Sequence, residues 1–348
     1  MIVGAVALAL MLPASFAIFL ATAPGSGKVQ KLVELPEGSS LKKIAFSLKQ
    51  DGLVSNATLF NLYARMKGAG SHLKAGTYQF HDGMPPPELL RKLVDGDVYV
   101  RRFTVPEGYS IYQVAELLEQ QGYFKKSPFL LKCFDRGLLK ELNIDARSVE
   151  GYLFPSTYDV NPKMDEAGLI RKMVEQFQKV YDERFAGRVR AAGKNRRQLI
   201  TMASIIEKEA VVPWERPVIS SVFHNRLTKR MPLQSDPTAI YGVRAFGGKV
   251  TKQDLENDSP YNTYRISGLP PGPIGNPSVS SIEAAINPAR TAYLFFVAKK
   301  DGTHYFTTNL DEHNRGVRRY LKQGVAETDS TGRMLVYRND RPNPAGRR

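Results

Sequence analysis

Residues 199–214 read Leu-Ile-Thr-Met-Ala-Ser-Ile-Ile-Glu-Lys-Glu-Ala-Val-Val-Pro-Trp, and the reading of the whole chain turns on them. At 3.6 residues per turn, Leu199, Met202, Ala203, Ile206 and Ala210 form one apolar stripe, which predicts a helix over 199–211 ending ahead of Pro213. Glu207 and Glu209 flank that stripe, and Lys208 is expected opposite it, in water. The i±3 and i±4 neighbours separate the two carboxylates. Glu209 meets Ile205, Ile206, Val212 and Pro213, whereas Glu207 meets Ala203, Ser204, Ala210 and Val211. Apolar surroundings raise a carboxyl pKa, so Glu209 is the candidate general acid and Glu207 the second choice. The plainer alternative is that both pair with Lys or Arg as ordinary flank residues.

Composition sets the boundaries. The 348 residues are long enough for two or more domains, and 42% hydrophobic content belongs to a folded chain. A formal charge of +15 favours an anionic neighbour. No helix-turn-helix, zinc-finger or RNP-type pattern occurs, so nucleic acid is not expected as a partner. A lone cysteine, Cys133, excludes an internal disulfide and a multi-cysteine metal site.

Ile2 to Ala21 carries no charged side chain. It matches the roughly 20 apolar residues that cross a bilayer, and exceeds the usual core of a cleaved signal peptide. A retained single-pass anchor over 1–23 is therefore expected. Lys28 and Lys31 follow the span and no basic residue precedes it, so charge alone does not orient the helix.

Two stretches repeat. Glu34-Leu-Pro-Glu-Gly-Ser-Ser-Leu continues to Gln50 and Gly52, and Thr104-Val-Pro-Glu-Gly-Tyr-Ser-Ile continues to Gln120 and Gly122, aligned by one constant offset. Each reads as a strand, a Pro-Glu-Gly turn and a helix capped by Ser40 or Ser110. Strand candidates at Ala75–Phe80 and Tyr99–Val105, with a helix at Pro86–Val94 between them, complete units that resemble the LysM wall-glycan module. Further on, helices are expected at about 165–188 and 218–227, a long loop over 242–277, and a hairpin about Asp301-Gly302.

The chemistry-bearing residues cluster downstream of the two carboxylates: Asn225-Arg226, Gln234-Ser-Asp236-Pro-Thr, Tyr241, Tyr261-Asn262-Thr-Tyr264 and Gly268-Leu-Pro-Pro-Gly-Pro-Ile. His224, His304 and His313 are scattered and H-E-x-x-H is absent, so neither metal nor cofactor is expected. In this order and spacing, S-I-I-E-K-E-A, L-Q-S-D-P-T, Y-N-T-Y and G-L-P-P-G-P-I resemble the YceG-like, or MltG, family of endolytic lytic transglycosylases. The resemblance implies cleavage of the β-1,4 bond between N-acetylmuramic acid and N-acetylglucosamine in peptidoglycan strands, leaving 1,6-anhydro ends. The family's essential glutamate aligns with Glu209. Substrate contacts would fall on Asn225, Arg226, Gln234, Asp236, Tyr241, Tyr261 and Asn262.

An α+β fold is thus expected. It comprises a transmembrane anchor (1–23), a LysM-like module (29–100), a catalytic domain (101–325) that includes a second LysM-like unit at 101–125, and a disordered tail (326–348). The implied setting is the outer face of a bacterial inner membrane, beside peptidoglycan synthases of elongation or division. Two alternatives stay open: a hydrolytic muramidase with Asp236 as second carboxylate, and a non-catalytic wall-binding scaffold.

Overall fold

The computed structural model describes residues 13–244, 246 and 250–321. It is a mixed α+β structure in two compact units, Met1–Arg102 with Asp159–Met164, and Phe103–Tyr158 with Asp165–Arg348. The tail expected over 326–348 lies outside the described residues, as does half of the expected anchor. Residues 13–21 are helical (α1). Among the described residues no helix is long and apolar enough to cross a membrane.

The first unit runs β1 (Gln30–Leu35), α2 (Leu41–Gln50), α3 (Ala57–Met66), a 3-10 turn (Ala69–Ser71), β2 (Gly76–His81) and α4 (Pro86–Asp95). β1 and β2 pair antiparallel, with Val33 opposite Tyr78 and Leu35 opposite Gly76. Side chains alternate across a strand, so Val33 and Leu35 turn inward together. They meet Ile44, Leu48, Phe60, Tyr78, Phe80, Leu89 and Leu93 in one core, which Phe19 of α1 joins. Helix α3 was not anticipated. Its start is set by Asn56, whose side chain accepts from the N–H groups of Thr58 and Leu59.

β3 (Arg101–Thr104) pairs with β4 (Thr157–Val160), and the division between the units falls within both strands. The second unit continues through α5 (Ile111–Gln120), α6 (Lys126–Cys133), α7 (Arg136–Glu141), α8 (Glu166–Arg184) and α9 (Ala186–Ala191). The single helix expected at 165–188 is broken at Phe185, which is buried with φ −126°. Next come α10 (Arg196–Glu209), a 3-10 turn (Pro213–Glu215), α11 (Arg216–Thr228), α12 (Asp236–Ile240), α13 (Lys252–Glu256) and α14 (Val279–Ile286). The expected hairpin is β5 (Phe295–Ala298) against β6 (His304–Thr307), antiparallel, followed by α15 (Leu310–Tyr320).

Both copies of the repeat form as read. Ser40 caps α2 by accepting from the Lys43 N–H. Ser110 caps α5 in a reciprocal box with Gln113. Helix α10 departs from its expected form in two ways. It begins at Arg196, capped by Asn195, and ends at Glu209, because Ala210 is already extended. Every residue from Leu199 to Ile206 is buried, so no stripe faces water. α11, α12 and α14 pack around it.

The Ser110 hydroxyl is buried and satisfies an orphan N–H of α5. Ser110→Ala should lower stability by about 1 kcal/mol, read as a shift in the urea midpoint at constant slope.

Candidate active site

The last turn of α10 holds its two carboxylates in opposite circumstances. The Glu207 side chain is only 6% exposed. Its Oε1 accepts from Arg216 Nη2 at 3.2 Å, and its Oε2 from the Ser278 N–H at 2.9 Å and from the Ser278 hydroxyl. Burial pushes its pKa up, but hydrogen bonds from Ser278 and Ser281 and the Arg216 charge outweigh it and hold Glu207 below the usual carboxylate range. Glu207 is therefore an ionised internal clamp. Glu107 lies beside it, its pKa raised by partial burial and then by the Glu207 charge, with Arg216 opposing.

Glu209, 7% exposed, turns the other way, and its Oε1 accepts from the Ser235 hydroxyl at 2.6 Å. A hydroxyl network fixes Ser235: its N–H donates to Thr263 Oγ1 (3.0 Å), its carbonyl accepts from Thr238 Oγ1 (2.6 Å), and the two threonines bond at 2.7 Å. These bonds join the Q-S-D-P-T and Y-N-T-Y segments. Next to them Tyr264 donates to Asp236 at 2.6 Å. Burial, then the charges of Asp236 and Glu209, push the Tyr264 phenol upward. Gln234 sits in the left-handed region, φ +50°, with its Oε1 taken by Arg226 at 3.2 Å. A non-glycine residue held there stores strain, a feature that concentrates at functional sites.

Three of the expected contact residues are committed to backbone. Asn225 donates both amide protons to the carbonyls of Thr291 and Tyr293. Asn262, fully buried, donates to Leu255 and Asn257. Arg226 reaches the carbonyls of Leu294, Pro232 and Leu233 and lies over the Phe295 ring. Their donors hold loops in place, because a buried polar group without a partner is costly. Gln234, Asp236, Tyr241 and Tyr261 remain near the segments that surround Glu209 or the aromatic cluster.

That cluster exposes two features the sequence reading missed. Tyr241 is buried, packs on Tyr261 at 4.6 Å, and donates its hydroxyl to Glu150 at 2.8 Å. Glu150 also accepts from the Ile111 N–H (3.1 Å). Burial raises its pKa to about 7 against the pull of these bonds and of Lys208. Lys208, expected in water, instead lies with Nζ 3.8 Å from the Phe246 ring centre and donates to Gln113 Oε1 at 3.2 Å. Burial lowers its pKa to about 8.

The glycine- and proline-rich loop is buried from Gly272 to Ser278. Buried backbone needs partners, and several come from α10: Ser204 Oγ accepts from the Ile274 N–H, and Arg197 donates to the Pro271 carbonyl. Asn276, fully buried, bonds to Tyr109 and Gly108 through its backbone and to Leu153 and Tyr109 through its amide. Gly275 sits on the turn of the second repeat, where a Cβ would lie 2.6 Å from the Gly108 carbonyl. Cavities of about 1000 Å³, beside Phe134–Arg147, and about 390 Å³, beside Tyr63–Asp95, lie elsewhere and do not involve Glu209. The chemistry is better located by the converging polar groups. Among the described residues no group of three His, Cys, Asp or Glu is placed to hold a metal.

A model of the YceG-like family matches residues 33–319. The chain belongs to that family. It is 37% identical over 305 residues to an endolytic murein transglycosylase of Bacillus subtilis, covering 83% of this chain and 84% of that one. A Streptococcus pneumoniae protein of the same name is 33% identical over 321 residues, and there the chain spans 58% of the relative's length. Among solved structures, a 2.6 Å crystal structure of a yceG-like protein from Listeria monocytogenes matches with a TM-score of 0.58 at 35% identity, over 83% of this chain and 99% of that one.

Glu150 binds a proton in the folded state at pH values where the unfolded carboxyl has lost it. It therefore stabilises the fold at low pH, and that contribution fades as pH rises from about 4.5 through about 7. Glu150→Gln should flatten the fall in melting temperature across this window.

Proposed function

We propose that the chain is an endolytic lytic transglycosylase of peptidoglycan in which Glu209 alone transfers the proton. The observation that carries this reading is the split on α10. Glu207 is bonded on both oxygens to internal partners, while Glu209 meets Ser235 and the Tyr264 side of the two motif segments. The named relatives supply the substrate class.

Protonation of the glycosidic oxygen by Glu209 breaks its bond to muramoyl C1, and the N-acetylglucosamine side leaves as an alcohol. The muramoyl C6 hydroxyl closes on C1 and returns its proton to the Glu209 carboxylate. One new C–O bond replaces the one broken, no water enters, and the glutamate ends protonated as it began. A hydrolase needs a second carboxylate to activate water or act as nucleophile; here the substrate supplies the hydroxyl. The Ser235 bond fixes the rotamer of the Glu209 carboxyl.

The same reading gives the rest of the chain its tasks. The apolar run 2–21 tethers it to the plasma membrane, with both units outside the cytoplasm beside peptidoglycan synthases. The first unit, two helices between paired strands, binds wall glycan as a LysM-like module.

Glu209→Gln should reduce strand cleavage by at least the roughly 10²–10⁴-fold that acid–base catalysis contributes, while sacculus binding persists. Mass spectrometry of released fragments should show 1,6-anhydro ends. Reducing ends would assign hydrolysis with Asp236 as partner, and cleavage surviving in Glu209→Gln would move the acid elsewhere.

A further inference from the structure

The segment that follows Glu209 carries a surface that neither the clamp at Glu207 nor the chemistry at Glu209 explains. Val211 is 54% exposed, Pro213 is exposed, and Trp214, the one tryptophan of the chain, is 65% exposed. A single exposed apolar residue is ordinary. Three within four residues, one of them an indole, leave unburied an apolar area that a partner could cover.

This surface is also rigidly mounted. Proline fixes φ at the start of the 3-10 turn Pro213–Glu215. Glu215, fully buried, accepts from the His304 N–H at 2.8 Å and pairs with His304 Nδ1 at 2.7 Å. Arg216 bonds to Ser281 and back to Glu207. The backbone that carries the indole is thus fixed by the proline before it and by two anchored residues after it, one of them tied to the helical turn that presents Glu209. Five residues of chain can separate the two Cα atoms by no more than about 18 Å, so a polymer lying across Glu209 passes within a few sugar rings of Trp214.

We propose that Trp214, flanked by Val211, is a stacking platform for a sugar ring of the glycan strand bound across Glu209. The fit is chemical. One face of a pyranose presents C–H bonds with slight positive charge, and the indole face is negative. The exposed apolar turn offers a flat surface, and its rigid mounting avoids the ordering cost that a mobile loop would incur on binding. This assignment rests on Glu209 being the acid, and it adds a residue that determines affinity instead of chemistry.

The lone tryptophan makes the test direct. The full chain carrying Glu209→Gln, reconstituted in phosphatidylcholine vesicles, is titrated with uncrosslinked glycan strands while indole emission and acrylamide quenching are followed. The expected result is a saturable change in emission with protection from acrylamide. In the Glu209-intact background, Trp214→Ala should raise KM for strand cleavage roughly tenfold, the size of one aromatic contact, with a smaller fall in kcat, and Trp214→Phe should restore most of the KM. Unchanged emission while the strands still co-sediment with the protein would overturn the assignment. So would quenching by vesicles of brominated lipid with no response to glycan, which would seat the indole in the membrane surface. Cleavage that persists in Glu209→Gln would overturn Glu209 as the acid and is a separate outcome from any of these.

Discussion

A carboxylate buried at 6% exposure must be matched at both oxygens, and the way Glu207 meets that demand fixes the rest of the site. Arg216 and Ser278 approach from the start of α11 and the cap of α14, two elements that pack on α10. Removing either would leave a buried charge uncompensated, so the three elements are locked to one another. The last turn of α10 can then present Glu209 in a single orientation, with Ser235 completing its setting.

The second copy of the repeat belongs to the same lock. Its Pro-Glu-Gly turn reaches Glu207 through Gly108, whose φ of +73° strains any other residue and where a Cβ would lie 3.2 Å from the Glu207 Cγ, so that a side chain there would push on the Glu207 carboxylate arm. Gln113, which closes the α5 cap, also accepts from Lys208. This copy is part of the scaffold around the carboxylates. The first copy sits in the other unit, around the core of Leu48, Phe60 and Phe80.

Features set by neighbours in sequence are legible from the sequence. Ser40, Ser110, the closing glycines and the Asp301-Gly302 hairpin act within a few residues, and each forms as read. Features set across the fold were not. Lys208 was assigned to water because its own helix leaves it opposite Leu199 and Met202; Phe246 and Gln113 cover it only after folding. Glu150 escaped notice because Tyr241 lies 91 residues away. The motifs that hold Ser235, Thr238, Thr263 and Tyr264 were visible, yet the attachment of Asn225, Arg226 and Asn262 to backbone carbonyls depends on loops that no local pattern specifies.

The identity of the acid is decided by which side chain meets the bond that breaks. The most direct measurement is a crystal structure of the Glu209→Gln variant with a bound peptidoglycan glycan fragment. It should place the scissile oxygen about 2.6–3.2 Å from the side chain at position 209, with the muramoyl C6 hydroxyl on the same side. A strand seated with that oxygen against Glu207, Glu107 or Asp236 would contradict the assignment.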